Sequence, residues 1–174
     1  MHAYRLVVAA TLLLSLLLAA CSESSSTPSS ASTSDGPTWV LTTAPENAES
    51  VVALKASAKE GDEVVLRGRI GGRMEPLTDG SSVFTVVDLE LPHCGQNPGD
   101  SCRTPWDYCC ETPETIAANS ATIQIVDAGG RSLDSNPAEH GFAPLDEVIV
   151  IGSVAPRPDD RVLTLRATGV YRVQ

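Results

Sequence analysis

The stretch Gly61-Asp62-Glu63-Val64-Val65-Leu66-Arg67-Gly68-Arg69-Ile70 decides the fold. Gly61-Asp62 is a turn signal, and the β-branched, partly alternating residues after it predict a strand over 63–70. Gly68 inside that strand marks a bulge or the tight curvature that small barrels require. Gly71-Gly72-Arg73 follows. Beside Arg67 and Arg69 it has the composition of an anion cradle, yet no helix pattern opens after it and no phosphate-loop Lys-Ser/Thr is present, so it reads as a turn.

The same rhythm recurs down the chain. Ser82-Val83-Phe84-Thr85-Val86-Val87-Asp88-Leu89 is a second strand after the Asp79-Gly80 turn, and Ala121-Thr122-Ile123-Gln124-Ile125-Val126-Asp127 is a third. Gly129-Gly130 turns it toward Ser132-Leu133. A connector over 134–145, with two prolines and His140-Gly141, leads to Glu147-Val148-Ile149-Val150-Ile151-Gly152-Ser153-Val154. A long last strand covers 161–173, after a loop bearing Pro156, Pro158 and Asp159-Asp160. Before all of these, residues 43–61 predict one short helix, with Pro45 in its first turn, Glu46 and Glu49 near the positive end of its dipole and Gly61 at its close. Trp39 is placed to plug the edge of the core. Five short strands with internal glycines predict an all-β fold, a small curled barrel rather than a sandwich.

This series resembles an OB-fold barrel over Gly61 to Val173. It is similar in layout to periplasm-facing OB domains such as the bacterial haem chaperone of cytochrome c maturation. It also resembles a group of planctomycete-type OB-fold lipoproteins of unassigned activity that carry the same Thr104-Pro105-Trp106-Asp107-Tyr108-Cys109-Cys110 element. Two departures matter. No His-x-x-x-Tyr follows the last strand, so haem attachment is not carried over, and no cofactor is expected. The helix that OB folds place between the third and fourth strands is reduced to the 134–145 connector. The fold expected is thus a five-stranded OB-like barrel with one short N-terminal helix and a cysteine-rich loop insertion.

Residues 1–20 read as a signal peptide, with Arg5 as its positive region and an apolar run from Leu6 to Leu17, short for a spanning helix. Leu18-Ala19-Ala20-Cys21 resembles the lipobox of bacterial lipoproteins, which implies that Cys21 is lipidated and becomes the mature N-terminus. Residues 21–38 then form a Ser/Thr/Pro linker too polar to order itself. The barrel domain occupies 39–174. These readings place the protein at the cell envelope, anchored to the membrane and facing the periplasmic side.

The insertion covers 92–118 and begins Pro92-His93-Cys94-Gly95-Gln96. Cys94, Cys102, Cys109 and Cys110 are four cysteines in a compartment that permits oxidation, which points to two disulfides. A vicinal Cys109–Cys110 bridge would strain the peptide; the other two pairings stay open. Thiolates are also soft ligands for Zn²⁺ or Cu⁺, although these spacings are not the C-x-x-C pairs of zinc ribbons. A redox-active dithiol is a third reading, in which Asp107 and Glu111 would raise the thiol pKa values. Trp106, Asp107 and Tyr108 are candidates for ligand contact, and the two aromatics, on one side of an alternating segment, would either pack the loop on the barrel or present a stacking face.

The chain carries 12 basic and 22 acidic residues, a net charge of −10. Without the signal it becomes about −11. That balance excludes a partner recognised mainly through phosphates and leaves nucleic acid unlikely. There is no G-x-S-x-G and no H-E-x-x-H, and Asp159-Asp160 reads as a solvated loop tip, so an enzyme is not expected. The function expected is a lipid-anchored extracytoplasmic interaction module for an envelope protein, a peptide or a saccharide. The alternative is a metal-handling or thiol-redox accessory protein. Inhibiting lipoprotein signal peptidase should leave the precursor unprocessed; a mature chain formed at the normal rate would refute the lipobox.

Overall fold

The computed structural model describes residues 37–96 and 98–174. The signal region, Cys21 and nearly all of the linker lie outside the described residues. Among those that are described, no helix is long and apolar enough to cross a membrane.

The elements run β1 (Glu49–Ser50), α1 (Val51–Ser57), β2 (Glu63–Ile70), β3 (Val83–Val87), α2 (Pro113–Asn119), β4 (Ser120–Ile125), β5 (Glu147–Val154) and β6 (Thr164–Arg172). Five of the strands close on themselves in the order β2-β3-β4-β6-β5, with β5 returning to β2. All contacts in the ring are antiparallel except β4 with β6. This is the OB-type barrel expected from the strand rhythm.

Closure depends on β2 pairing with β5 along one edge and with β3 at the end of the other, the edge it also shares with β1. β1 pairs parallel with its middle at Leu66 and Arg67, and β3 pairs antiparallel with its end at Arg69 and Ile70. Gly68 stands at the change of partner, where a Cβ would sit 2.9 Å from the Val87 carbonyl oxygen and close to Val86 and Val51. A strand that bends so sharply needs a residue without a side chain on the inside of the bend. On the opposite side of β2, the β5–β6 ladder shifts register between Ile151 and Gly152. A Cβ on Gly152 would lie 2.2 Å from the Arg166 carbonyl oxygen.

Alternation fills the interior. Leu66, Ile70, Phe84, Val86, Ile123, Ile125, Val148, Val150 and Leu165 point inward and are buried. Burial of an aliphatic side chain of this size stabilises by about 1.5–3 kcal/mol, so the aromatic-poor core is made from many medium-sized contributions. Trp39 is buried beside the core, stacked on Phe142 at 5.7 Å between ring centroids and meeting the His140 ring edge-on at 5.2 Å. The segment that carries it joins β6 through the bridge from Val40 to Val170.

The N-terminal helix is shorter and later than the 43–61 pattern predicts. Ser50 is its N-cap, with its hydroxyl accepting from the Ala53 amide, and residues 43–48 are irregular. Val51 and Leu54 anchor the helix in the core, which sets where it begins. Glu46 and Glu49 do not lie in its first turn. The negative charge there comes instead from Asp88, almost fully buried, whose Oδ2 accepts from the Val52 amide at 2.9 Å. At the other end Ala58 is the C-cap, not Gly61, and Arg157 donates to the carbonyls of Lys55 and Ala58. A second helix, α2, lies inside the segment read as loop and runs directly into β4. Between β4 and β5 the helix of other OB folds is reduced to a turn of 3-10 helix over Pro137–His140, as expected.

Replacing Gly152 with alanine should destabilise the fold by about 2 kcal/mol, because the backbone it meets cannot rotate away. An unchanged midpoint in urea would show that the β5–β6 bulge yields without cost.

Candidate functional site

The cysteine loop leaves the barrel at Asp88 and returns at Asn119. Asp88 accepts from the Glu90 amide through Oδ1, and its own amide donates to the Asn119 carbonyl at 2.8 Å. Within the excursion, Cys94 opens a 3-10 turn and is buried, and Cys102, further along, is tied by its amide to Asp100 Oδ1 at 2.9 Å. Thr104 precedes a second 3-10 turn, Pro105–Asp107, after which Tyr108 takes a left-handed conformation with φ 58°.

That turn reorients the residues of the Trp-Asp-Tyr element. The segment does not alternate as a strand, so Trp106 and Tyr108 have separate roles. Tyr108 is fully buried and packs beneath the loop. Trp106 is half-buried, and its indole Nε1 donates to the Met74 carbonyl at 3.0 Å. Its backbone carbonyl accepts from the Gly72 amide at 2.8 Å, and a Cβ on Gly71 would lie 2.7 Å from that oxygen. The Gly71-Gly72 pair is therefore a docking point, a role beyond that of a turn. The glycines let the loop backbone come against the end of β2. Asp107 is held from two sides, by the Thr104 hydroxyl at 2.8 Å and the Cys109 amide at 2.9 Å.

Docking gathers the four predicted cysteines into two adjoining groups that share Cys94. The sulfurs of Cys102 and Cys109 are 3.1 Å apart, and those of Cys94 and Cys109 are 3.6 Å apart. Donor atoms of Cys94, Cys102, Asp107 and Cys109 all lie within 4.8 Å of one another; those of Cys94, Asp100 and Cys110 form a second such group. All four cysteines are free thiols, since an S–S bond measures about 2.05 Å. Cys102 and Cys110 fall in different groups. Of the two pairings left open by the sequence, Cys94 with Cys110 and Cys102 with Cys109 is therefore the one whose members adjoin.

The cluster divides its thiols electrostatically. Burial would raise the Cys94 thiol, but hydrogen bonds from Cys110, Cys109 and Cys102 outweigh it and bring the pKa below the ordinary value. Cys110 is pushed up to about 11, chiefly by its hydrogen bond with Cys94, and Cys109 rises further through Cys102 and Cys94. Asp107 adds to the increase at Cys109 as expected, while at Cys110 the acidic contribution comes from Asp100 and not from Glu111. The cluster thus favours the charged form of Cys94 over those of Cys109 and Cys110. Such a set can bind a soft cation or be oxidised in pairs.

Beneath the cluster lie Arg69, His93 and Tyr108. Burial raises the Tyr108 phenol while Arg69 pulls it down, and burial followed by Arg69 lowers His93. The Tyr108 hydroxyl, Arg69 Nη1 and His93 Nδ1 are buried with no hydrogen-bond partner among the described residues. A separate surface feature that the sequence pattern does not announce is a groove of about 290 Å³ lined by Val52, Lys55, Ala56, Ala118, Asp160 and Arg161. It depends on α2 packing beside α1.

No protein-family model matches the chain, and no curated protein matches it. Among solved structures, the hypothetical protein ygiW from E. coli is similar at 13% identity and a TM-score of 0.39, over 79% of this chain and 99% of that one. A putative aspartyl-tRNA synthetase from Leishmania major Friedlin is similar at 10% identity and a TM-score of 0.40, over 77% of this chain and 22% of that one. Likenesses at this level carry no function; the barrel assignment rests on the strand order itself.

Tyr108→Phe should raise the unfolding midpoint slightly, because it removes a buried hydroxyl that lacks a hydrogen-bond partner, whereas Tyr108→Ala should cost about 3–5 kcal/mol. Equal losses for the two variants in chemical unfolding would mean that the hydroxyl, and not the ring, holds the loop.

Proposed function

We propose that the protein is a lipid-anchored module of the cell envelope that binds a peptide, saccharide or protein partner through the surface of its cysteine loop. The observation that carries the reading is the clamping of that loop onto the barrel. Trp106 is fastened by both its indole and its backbone, and Tyr108 fills the space below. A loop held this way has little entropy left to lose on binding, which favours recognition by a preformed surface. The half-buried Trp106 and Asp107 reach the surface there, with the exposed Arg103 and the half-buried Glu111 nearby in sequence. An indole flanked by charge suits a sugar ring or a peptide side chain.

The anchoring half of the reading is supported by the apolar run at residues 6–17 and by Leu18-Ala19-Ala20-Cys21 at its end. Two acyl chains on Cys21 would give stable attachment, where one chain alone gives marginal binding. The polar linker would then hold the barrel clear of the bilayer. The excess of acidic over basic residues, 22 against 12 in the full chain, favours solubility and works against nucleic acid. OB barrels as a class are binding folds.

NMR shift mapping with cell-wall saccharides and a peptide library tests the site. Perturbations should concentrate between residues 94 and 112, and Trp106→Ala should weaken binding by about tenfold or more while leaving the amide spectrum of the barrel intact. Perturbations confined to the groove between the helices, or unaltered binding by Trp106→Ala, would move recognition away from the loop.

A further inference from the structure

We propose that Cys94, Cys102, Cys109 and Asp107 hold one zinc-class divalent cation and that Cys110 stands outside its coordination sphere. This goes beyond the recognition reading and does not depend on it. Four ligand atoms within 4.8 Å of one another satisfy the first requirement of a tetrahedral site. With Zn–S near 2.3 Å and Zn–O near 2.1 Å, neighbouring donors in a tetrahedron lie about 3.5–3.8 Å apart. Cys94 and Cys109, at 3.6 Å, already stand at that separation. Cys102 and Cys109, at 3.1 Å, need to open slightly, and both are side chains with access to solvent.

The carboxylate separates this arrangement from a simple gathering of thiols. Asp107 is aimed by two hydrogen bonds, one to each oxygen, from Thr104 and from the Cys109 amide. A carboxylate has about four acceptor positions, so both oxygens keep capacity for a metal. Partners that orient a ligand in this way are the usual second layer of a metal site. The second group, Cys94 with Asp100 and Cys110, offers only three donors and shares Cys94. It cannot complete a tetrahedron while the first group is occupied, which is why Cys110 is left out.

The donor set also selects the cation. Three thiolates exclude calcium and magnesium, which take oxygen ligands. Cuprous ion is satisfied by soft sulfur alone and gains little from a carboxylate, so a mixed sulfur and oxygen set suits zinc better. Three thiolates and a carboxylate around a divalent ion remain anionic. Cys94 forms the buried floor of the site and Cys109 the exposed side by which an ion enters.

The full chain, isolated in the form in which it accumulates, is first assayed for thiols and bound metal, and then reduced, stripped and titrated anaerobically with Zn²⁺ and Co²⁺. One ion per chain and the absorption of tetrahedral cobalt thiolate are expected. Asp107→Asn should weaken zinc binding by about tenfold, and Cys109→Ser by at least as much, while Cys110→Ser stays within about twofold of the parent. Because loss of buried Cys94 can unfold the loop, the decision rests on Asp107→Asn against Cys110→Ser, each checked by circular dichroism. Two disulfides and no metal in the isolated chain would overturn the proposal. So would equal losses for Cys110→Ser and Cys109→Ser, or binding of Cu⁺ in preference to Zn²⁺ with no effect of Asp107→Asn.

Discussion

The closing of the barrel at Gly68 is the constraint on which the rest depends. β2 pairs with β5 along one edge and divides the other between β1 and β3, and Gly68 is where that edge passes from one partner to the next. Val87 and Val51 press against that point from outside the strand. Gly152 answers on the β5–β6 side, where the ladder shifts register. The bend also sets the direction in which β2 ends, and it ends in Gly71-Gly72, the place where the loop lands. Curvature needed by the core thus prepares the surface that the loop uses.

Strands were the most legible part of the molecule, because a period of two with β-branched residues leaves few alternatives. Residues 63–70 and 147–154 appear as strands with the bounds read from the sequence. The helices were less legible, for different reasons. Pro45, Glu46 and Glu49 have the composition of a helix start, but burial of Val51 and Leu54 moves the start to Ser50 and a distant carboxylate, Asp88, supplies the charge. For α2 a local signal was present. Thr112, Pro113 and Glu114 form a cap, a first-turn proline and a first-turn acid, and the Thr112 hydroxyl does accept from the Thr115 amide. The crowding of cysteines around it drew the segment into a single loop reading.

The site was legible in its residues and not in its arrangement. Cys94, Cys102, Cys109 and Cys110 were all identified, and their meeting follows from the fold. Which sulfurs adjoin could not be read, because it depends on the left-handed turn at Tyr108 and on Trp106 docking more than thirty positions away in sequence. The adjacent pair shows this best. Side by side in the chain, Cys109 and Cys110 face different partners, one toward Cys102 and Asp107, the other toward Asp100.

The hydrogen bond from the Asp88 amide to the Asn119 carbonyl gives the excursion the properties of a cassette. Its two ends meet at the same spot on the barrel wall, with β3 and β4 already paired beside it from Val87 and Ser120 onward. Whatever lies between those ends can lengthen, shorten or change chemistry without altering the register of any strand, and the entropic cost of doing so grows only with the logarithm of length. The barrel is in this sense a fixed frame with one exchangeable panel, and the cysteines, the indole and the carboxylate all belong to the panel.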